Sequence, residues 1–469
     1  MNYNLKRLHR AFNPRTVAVV GDKMALGYMW LNSLTQFQGK VYSVQIDERE
    51  FPGIAALGVD NYLSLQAIPD DIDYVIVAVP SNVTPRIVQD CVSKSVGGAT
   101  LFTAGFAESG SDDGRKLQET ISKIAREGGL NLIGPNCMGI HNPSIGLRHS
   151  PDQPCYDGGS VGFISQSGTH ATFFTLMAPM HGVKVSKSVS YGNAAVLDSP
   201  DFLEYMGQDD ETRAIGIYIE GINDGRRLRD CIRDVAARKA VLVWKGGQTS
   251  EGNRATSSHT GSLAGRPQVW EALIKQCGAI KVNSLDEMIE TMQILLYAKP
   301  TAGNRVGLAA MTGGQSVAIT DAFTAAGFDV PTLTDESYRR FAPFFDTLGA
   351  SYRNPLDVSL NFPHLDRIMH SLDILSQDEN IDSVVLEVSV PFMQHLTWVD
   401  ASLLDELVGE LARFKGRCDK PLIATVVPAH VEAEALAVRD KLVSQDIPCF
   451  PSFQRGANAL MKAIAYWKR

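Results

Sequence analysis

Short apolar runs that end in glycine, proline or small hydroxyl residues recur along this chain, and they constrain its fold more than any other feature. Among them are Thr16–Gly21 (TVAVVG), Asp73–Pro80 (DYVIVAVP), Ser160–Ile164 (SVGFI), Arg213–Gly221 (RAIGIYIEG), Val241–Trp244 (VLVW) and Arg305–Met311 (RVGLAAM). Each reads as a buried strand followed by a turn. Helical patterns stand between them, at Tyr28–Thr35, Val83–Lys94, Ala171–Met177, Gln268–Lys275, Leu285–Tyr297 and Val317–Ala326. Strands alternating with helices predict βαβ units and parallel sheets, an α/β chain throughout. Further strands are expected at Lys40–Ile46, Gly98–Thr103, Ala279–Val282, Ser383–Val390, Leu422–Val427 and Ile447–Phe450. Helices are expected at Ala401–Arg413, Val431–Ser444 and Gly456–Trp467.

A chain of 469 residues holds about three domains at the usual ~100–200 residues each. The pattern breaks divide it at 1–148, 149–300 and 301–469. A net charge of −8 tells against nonspecific nucleic-acid binding, which needs a basic surface. No apolar run approaches the ~20 residues of a membrane helix, and Met1–Arg15 lacks the apolar core of a secretory signal. The seven cysteines are scattered without a Cys-x-x-Cys pair or a Cys/His cluster at metal spacing. No metal site is therefore expected, and a reduced, cytoplasmic setting is.

Several turns carry candidate chemistry. The first, Gly21-Asp22-Lys23, lacks the G-x-G-x-x-G fingerprint. Its absence disfavours a nicotinamide cofactor, although Asp47 at the end of the second strand could meet a ribose hydroxyl. Gly105-Phe106 and Gly134-Pro135-Asn136-Cys137 place glycines where backbone can approach a ligand closely. Asn136 and nearby N–H groups could receive a carboxylate or phosphate. Cys137 is either a nucleophile or a packing thiol, and the lack of a neighbouring base favours packing. Ser165-Gln166-Ser167-Gly168-Thr169 joins a strand to a helix start, which is an anion site or simply a good cap. Glu220 ends a strand at the rim where open α/β sheets place their ligands. The Val241–Trp244 strand feeds a polar, glycine-rich loop, Lys245–Gly265, whose one histidine is His259. That histidine is either a reactive imidazole or incidental. Thr312-Gly313-Gly314-Gln315-Ser316 repeats the strand–turn–helix pattern and so offers a second helix N-terminus for the same anion.

Taken in order, FNPRTVAVVG, DYVIVAVP, TAGFAESG, NLIGPNCMGI, GFISQSGT, IYIEGI and SSHTGSLAG resemble the α subunit of the ADP-forming acyl-CoA synthetases, and more distantly the succinyl-CoA ligase α chain. The likeness runs the length of the chain, and its strength lies in the conjunction of the motifs. It implies a Rossmann-like CoA-binding domain followed by two flavodoxin-like parallel-sheet domains. It implies that His259 is phosphorylated and that Glu220 holds the imidazole's other nitrogen. Phosphate would bind at Ser165, Gln166, Ser167, Gly168 and Thr169, and at Gly313, Gly314, Gln315 and Ser316. CoA would lie along Gly21, Lys23, Val79, Pro80, Gly105 and Phe106, with the acyl group facing Gly134, Pro135 and Asn136. Asn354-Pro355-Leu356-Asp357 matches the Asn-Pro-x-Asp turn of the family's third domain. Two departures fall near the CoA nucleotide. Gly21-Asp22-Lys23 stands for the usual Gly-Ala-Ser, and Ile46-Asp47 for Asn-Pro.

The reaction implied interconverts acyl-CoA, ADP and phosphate with carboxylic acid, CoA and ATP. An ATP-grasp nucleotide domain would need a further ~200 residues, a domain's worth. The chain has no Gly-x-x-x-x-Gly-Lys-Ser/Thr loop either. The chain is thus not expected to bind ADP by itself, and the resemblance implies Mg-ADP or Mg-ATP on a separate ATP-grasp β subunit, in a hetero-oligomer of α2β2 type, with the His259 loop carrying the phosphoryl group between sites. A CoA-binding regulatory protein that kept the fold and lost turnover is the alternative. The acyl group stays open.

Overall fold

A computed structural model of the chain describes residues 5–252, 254, 267–361, 364–395 and 402–469. They fall into two compact units, Met1–Pro179 with Val183–Leu285, and Met180–Gly182 with Asp286–Arg469.

The first unit contains two sheets. Strands β1 (Thr16–Val20), β2 (Lys40–Val44), β3 (Asp60–Tyr62), β4 (Tyr74–Val77), β5 (Gly98–Leu101) and β6 (Leu132–Ile133) form an all-parallel sheet ordered β3-β2-β1-β4-β5-β6. Its winding reverses between β1 and β4, which opens a crevice at the carboxyl ends of those strands. Strand side chains alternate between faces, and here both faces are covered. Val17 and Val19 enter one core cluster, whereas Ala18 and Val20 enter another. Double coverage is why the run is apolar at every position.

The second sheet is built from β7 (Gly139–His141), β8 (Val161–Ser165), β9 (Val185–Ser190), β10 (Ala214–Ile219), β11 (Ala240–Lys245) and β12 (Ile280–Val282). Its order is β12-β11-β10-β8-β9-β7, parallel except for β7 against β9. Strand β9 reads VSKSVS, and its Lys187 is 1% exposed. The ammonium is paired with Asp209 at 3.0 Å and with Glu211, the compensation a buried cation requires. The two sheets share a core. Leu8 and Phe12, on the helix Leu5–Phe12, join Val17 and Val19 of the first sheet to Ile164, Ile215, Ile217 and Val243 of the second.

The second unit contains one parallel sheet, ordered β14-β13-β15-β16-β17, from β13 (Val306–Ala310), β14 (Leu356–Asp357), β15 (Ser383–Glu387), β16 (Leu422–Thr425) and β17 (Cys449–Phe450). Leu308, Val385 and Ile423 pack on one face, and Ala309, Leu386 and Ala424 on the other. The fold is α/β with parallel-dominated sheets, as the apolar runs predicted. Among the described residues, no helix is long and apolar enough to cross a membrane.

Candidate functional site

At the carboxyl edge of the first sheet, Gly21 follows β1, Val79 and Pro80 follow β4, and Gly105 follows β5. Gly21 has φ +85°, and a Cβ there would lie 2.5 Å from Val79 Cγ1. Only glycine lets this turn lie against the end of β4. Lys23 is exposed. Asp22 instead turns inward and is 1% exposed. Its carboxylate accepts from the backbone N–H of Trp30 at 3.0 Å, Leu31 at 2.9 Å and Lys23 at 3.1 Å. Burial leaves the carboxyl raised above its ordinary value, against the opposing pull of these N–H bonds. The acidic departure from the family's turn therefore serves the start of the short helix Met29–Ser33 and does not face the crevice. Asp47 is paired with Arg49 at 2.6 Å, and the guanidinium and the Arg49 N–H hold its carboxyl down to about 2. Phe106 has a fully buried side chain. The N–H groups of Gly105 and Phe106 both donate to Glu108 Oε1, at 2.6 and 3.1 Å.

The carboxyl edge of the second sheet gathers more of the candidates. After β8, Ser167 caps the helix Gly168–Met180 by accepting the His170 N–H at 3.3 Å. Ser165 Oγ accepts from Ser167 N–H at 3.1 Å and donates to Ser167 O at 2.7 Å, which fixes the turn. Gln166 is committed elsewhere: its Oε1 accepts from the N–H of Glu220 at 2.7 Å and of Gly221 at 2.9 Å. It is the brace between the ends of β8 and β10. A cavity of about 390 Å³ opens on one side of the helix start, lined by Asn136, Cys137, Met138, Ser167, Thr169 and Phe173 among others. The turn Gly134-Pro135-Asn136 reaches it with Asn136 at φ 59°, a left-handed conformation asparagine tolerates better than most residues. Burial raises the Cys137 thiol, and its Sγ lies 3.6 Å from Leu101 O, so the thiol is packed and not activated.

Glu220 is 7% exposed, just beyond β10. Its Oε1 accepts from Tyr218 O–H at 3.1 Å, and its backbone carbonyl accepts from Lys245 Nζ at 2.8 Å. Burial lowers the Lys245 ammonium, with Glu220 opposing that shift. Tyr218, Trp244 and His170 form an aromatic wall, with His170 centred 4.5 Å from the tyrosine ring and 4.7 Å from the indole. Burial lowers the His170 imidazole, again against Glu220. Tyr218, on β10, and Glu220, two residues on and just past its end, share a face. That spacing was the signal that could have identified Tyr218. His170 gave no signal beyond its place in the first helical turn. His259 lies outside the described residues.

In the second unit, Thr312 caps the helix Gly313–Ala325, with the Gln315 N–H 3.4 Å from its Oγ1. Ser316 Oγ is turned back onto Gly313 O at 2.7 Å. Two carboxylates crowd this turn. A Cβ on Gly313 would lie 2.8 Å from Asp357 Oδ2, and Glu387 Oε2 accepts the Met311 N–H at 2.8 Å. Gly314 is open, with nothing within 4 Å of a Cβ built there. Asn354 Nδ2 donates to Val306 O and Pro331 O, both at 2.9 Å, which braces the residues leading into β14 against β13.

Comparison with known proteins finds likeness at the level of domains and of the whole chain. Residues 15–143 match a CoA binding domain, and residues 158–295 match a succinyl-CoA ligase like flavodoxin domain. The chain is similar to the α subunit of acetate–CoA ligase (ADP-forming) II of Pyrococcus furiosus, with 33% identity over 92% of each chain. It is 37% identical to acetate–CoA ligase (ADP-forming) I of Archaeoglobus fulgidus over 82% of this chain, and it spans 55% of that longer protein. Among solved structures, a dinucleotide-forming acetyl-coenzyme A synthetase 1 of Candidatus Korarchaeum cryptofilum, in complex with phosphate and ADP, superposes with a TM-score of 0.84. That structure is 28% identical and covers 99% of this chain and 97% of its own.

Proposed function

Because this chain belongs to the ADP-forming acetate–CoA ligase family, we propose that it is the α subunit of an ADP-forming acyl-CoA synthetase. In this reading residues 1–148 bind CoA, 149–300 carry the phosphohistidine, and 301–469 form the third domain. The observation that supports it most is the start of the helix Gly168–Met180. That turn lies between the cavity bearing Asn136 and the end of β10 bearing Glu220.

Phosphate binds at Ser167–Thr169, where helix N–H groups favour an anion. It attacks the acyl carbon of acyl-CoA, the C–S bond breaks, and CoA leaves as thiol beside an acyl phosphate. Asn136 presents its amide to the acyl end. Neutral His259 then attacks phosphorus and the carboxylate departs. Glu220 receives the N–H of the other ring nitrogen, which fixes the tautomer. Tyr218 and Gln166 keep that carboxylate in place. Phosphohistidine passes its group to Mg-ADP on an ATP-grasp β subunit, which gives ATP and closes the balance. The second helix start, Gly313–Ser316, is a further phosphoryl site, and the first sheet's crevice at Gly21, Lys23, Val79, Pro80 and Gly105 takes CoA. The setting is cytoplasmic, in an α2β2 assembly.

The test is labelling of the chain by acyl-CoA with radioactive phosphate, and by labelled ATP with the β partner. The parent protein takes up acid-labile, base-stable label and His259→Ala takes up none. Equal labelling of the two proteins overturns the assignment.

A further inference from the structure

Asn193, between β9 and the helix Ser199–Gln208, sits where three turns meet. Its main-chain N–H donates to Pro135 O at 3.0 Å, and two residues on the Ala195 N–H donates to Gly134 O, also at 3.0 Å. Its side-chain Oδ1 accepts from Asn136 Nδ2 at 3.5 Å. Its Nδ2 donates to Glu108 Oε2 and, at 3.0 Å, to Gln118 Oε1. The other oxygen of Glu108 accepts from the N–H groups of Gly105 and Phe106. One polar chain thus runs from the Gly105-Phe106 turn through Glu108 and Asn193 to the Gly134-Pro135-Asn136 turn. The backbone here is left-handed at three residues: Gly192 at φ 51°, which glycine adopts freely, Asn136 at φ 59°, and Ala194 at φ 54°, where the strain lies. A Cβ on Gly192 would lie 2.3 Å from the carbonyl oxygens of both Asn136 and Pro135, so the two turns touch through main chain. Non-glycine residues persist at positive φ where surrounding bonds over-determine them, commonly at functional sites.

We propose that Glu108 and Asn193 are positioning residues that lock the CoA-binding turn of the first sheet to the acyl-binding turn, so that the thiol and acyl ends of one thioester are held in register. The proposal rests on the acyl-CoA synthetase reading. Glu108 acts as a resident anion. By occupying the Gly105 and Phe106 amides it leaves no free anion cradle at that turn, so a neutral stretch of CoA, and not its phosphates, passes over it. The charge of Glu108 is directed at Asn193 instead. A charge-assisted bond of this kind is worth roughly tenfold to a hundredfold in an equilibrium.

The experiment compares the parent with Asn193→Asp, Glu108→Gln and the double variant, in three assays. Asn193→Asp sets two carboxylates face to face. Labelling from acyl-CoA and phosphate then falls roughly tenfold to a hundredfold, and CoA affinity in an equilibrium titration falls with it. Labelling from ATP with the β partner uses neither turn and stays at the parent level. In the double variant the amide introduced by Glu108→Gln can donate to the carboxylate introduced by Asn193→Asp. Both the acyl-CoA-dependent labelling and the CoA affinity then recover to within a few fold. An undiminished Asn193→Asp protein, or a double variant no better than the single one, overturns the bridge. So does an equal loss in the ATP-driven reaction, because it marks general damage. A parent protein that takes no label from either donor sinks the synthetase reading instead, and the CoA titration of the variants still decides whether Glu108 and Asn193 form the lock.

Discussion

The two helix starts, Gly168 in the first unit and Gly313 in the second, share a plan and differ in electrostatics. Each follows a buried parallel strand, each is capped by a hydroxyl side chain, and each has a glutamate at the end of the neighbouring strand. Glu220 is held by Tyr218 and stands beside a turn whose other flank opens on a cavity. Glu387 is fully buried, with one oxygen on the Met311 N–H. Burial pushes its carboxyl up to about 7. Asp357 adds a second carboxylate next to Gly313. A helix start is thus a general anion site only in outline. The side chains around it decide how well an anion is received.

A matched pair of substitutions tests this most severely. Thr169→Asp and Gly314→Asp each put a carboxylate at the second helical position. Two like charges ~4 Å apart at an effective dielectric near 20 repel by about 4 kcal/mol, so Thr169→Asp cuts phosphate-dependent labelling roughly a thousandfold. Gly314→Asp, beside carboxylates already present, costs far less. Equal losses mean that the two turns receive the phosphoryl group equally and break the comparison. Next in size is the pH response of the second unit. Glu387 binds its proton more tightly folded than unfolded, so its contribution to stability is complete below its ordinary 4.5 and is lost as pH rises to about 7. A carboxyl displaced that far changes unfolding free energy by about 3 kcal/mol between the two limits. Calorimetric scans from pH 4.5 to 8 read this, and Glu387→Gln, which keeps an acceptor for Met311, flattens the slope. Gln166→Ala strips the acceptor from two buried N–H groups and destabilises the first unit by about 2 kcal/mol, seen as a lower denaturant midpoint. Tyr218→Phe removes one bond to Glu220 and slows phosphohistidine formation by roughly fivefold, about 1 kcal/mol.

The apolar runs made the strands legible because burial on both faces erases polar alternation. Val17 to Val20 and Val241 to Val243 are plain instances. Strand β9 was missed, since Lys187 and its serines look like surface until Asp209 and Glu211, over twenty residues on, are brought against the ammonium. The antiparallel β7 was missed as well, its three residues hidden in a glycine-flanked turn. At the candidate site, the placing of Glu220 at a strand end and of Ser165–Thr169 at a strand-to-helix turn was legible, because strand ends and helix starts are local features. The role of Gln166 as brace, the inward turn of Asp22 and the meeting of Glu108 with Asn193 were not. Each depends on a partner set by the packing of separate segments, which spacing along the chain does not encode.

The shared core of the first two sheets bears on how genes of this kind can be rearranged. Phe12 stacks on Tyr205 at 4.5 Å, and Asn142 Nδ2 reaches back to Phe12 O at 3.0 Å. Cutting or re-splicing the coding sequence between these sheets would bare such side chains on both products, at about 2 kcal/mol for each large apolar group exposed. Recombination should therefore carry residues 5–285 as one inherited block.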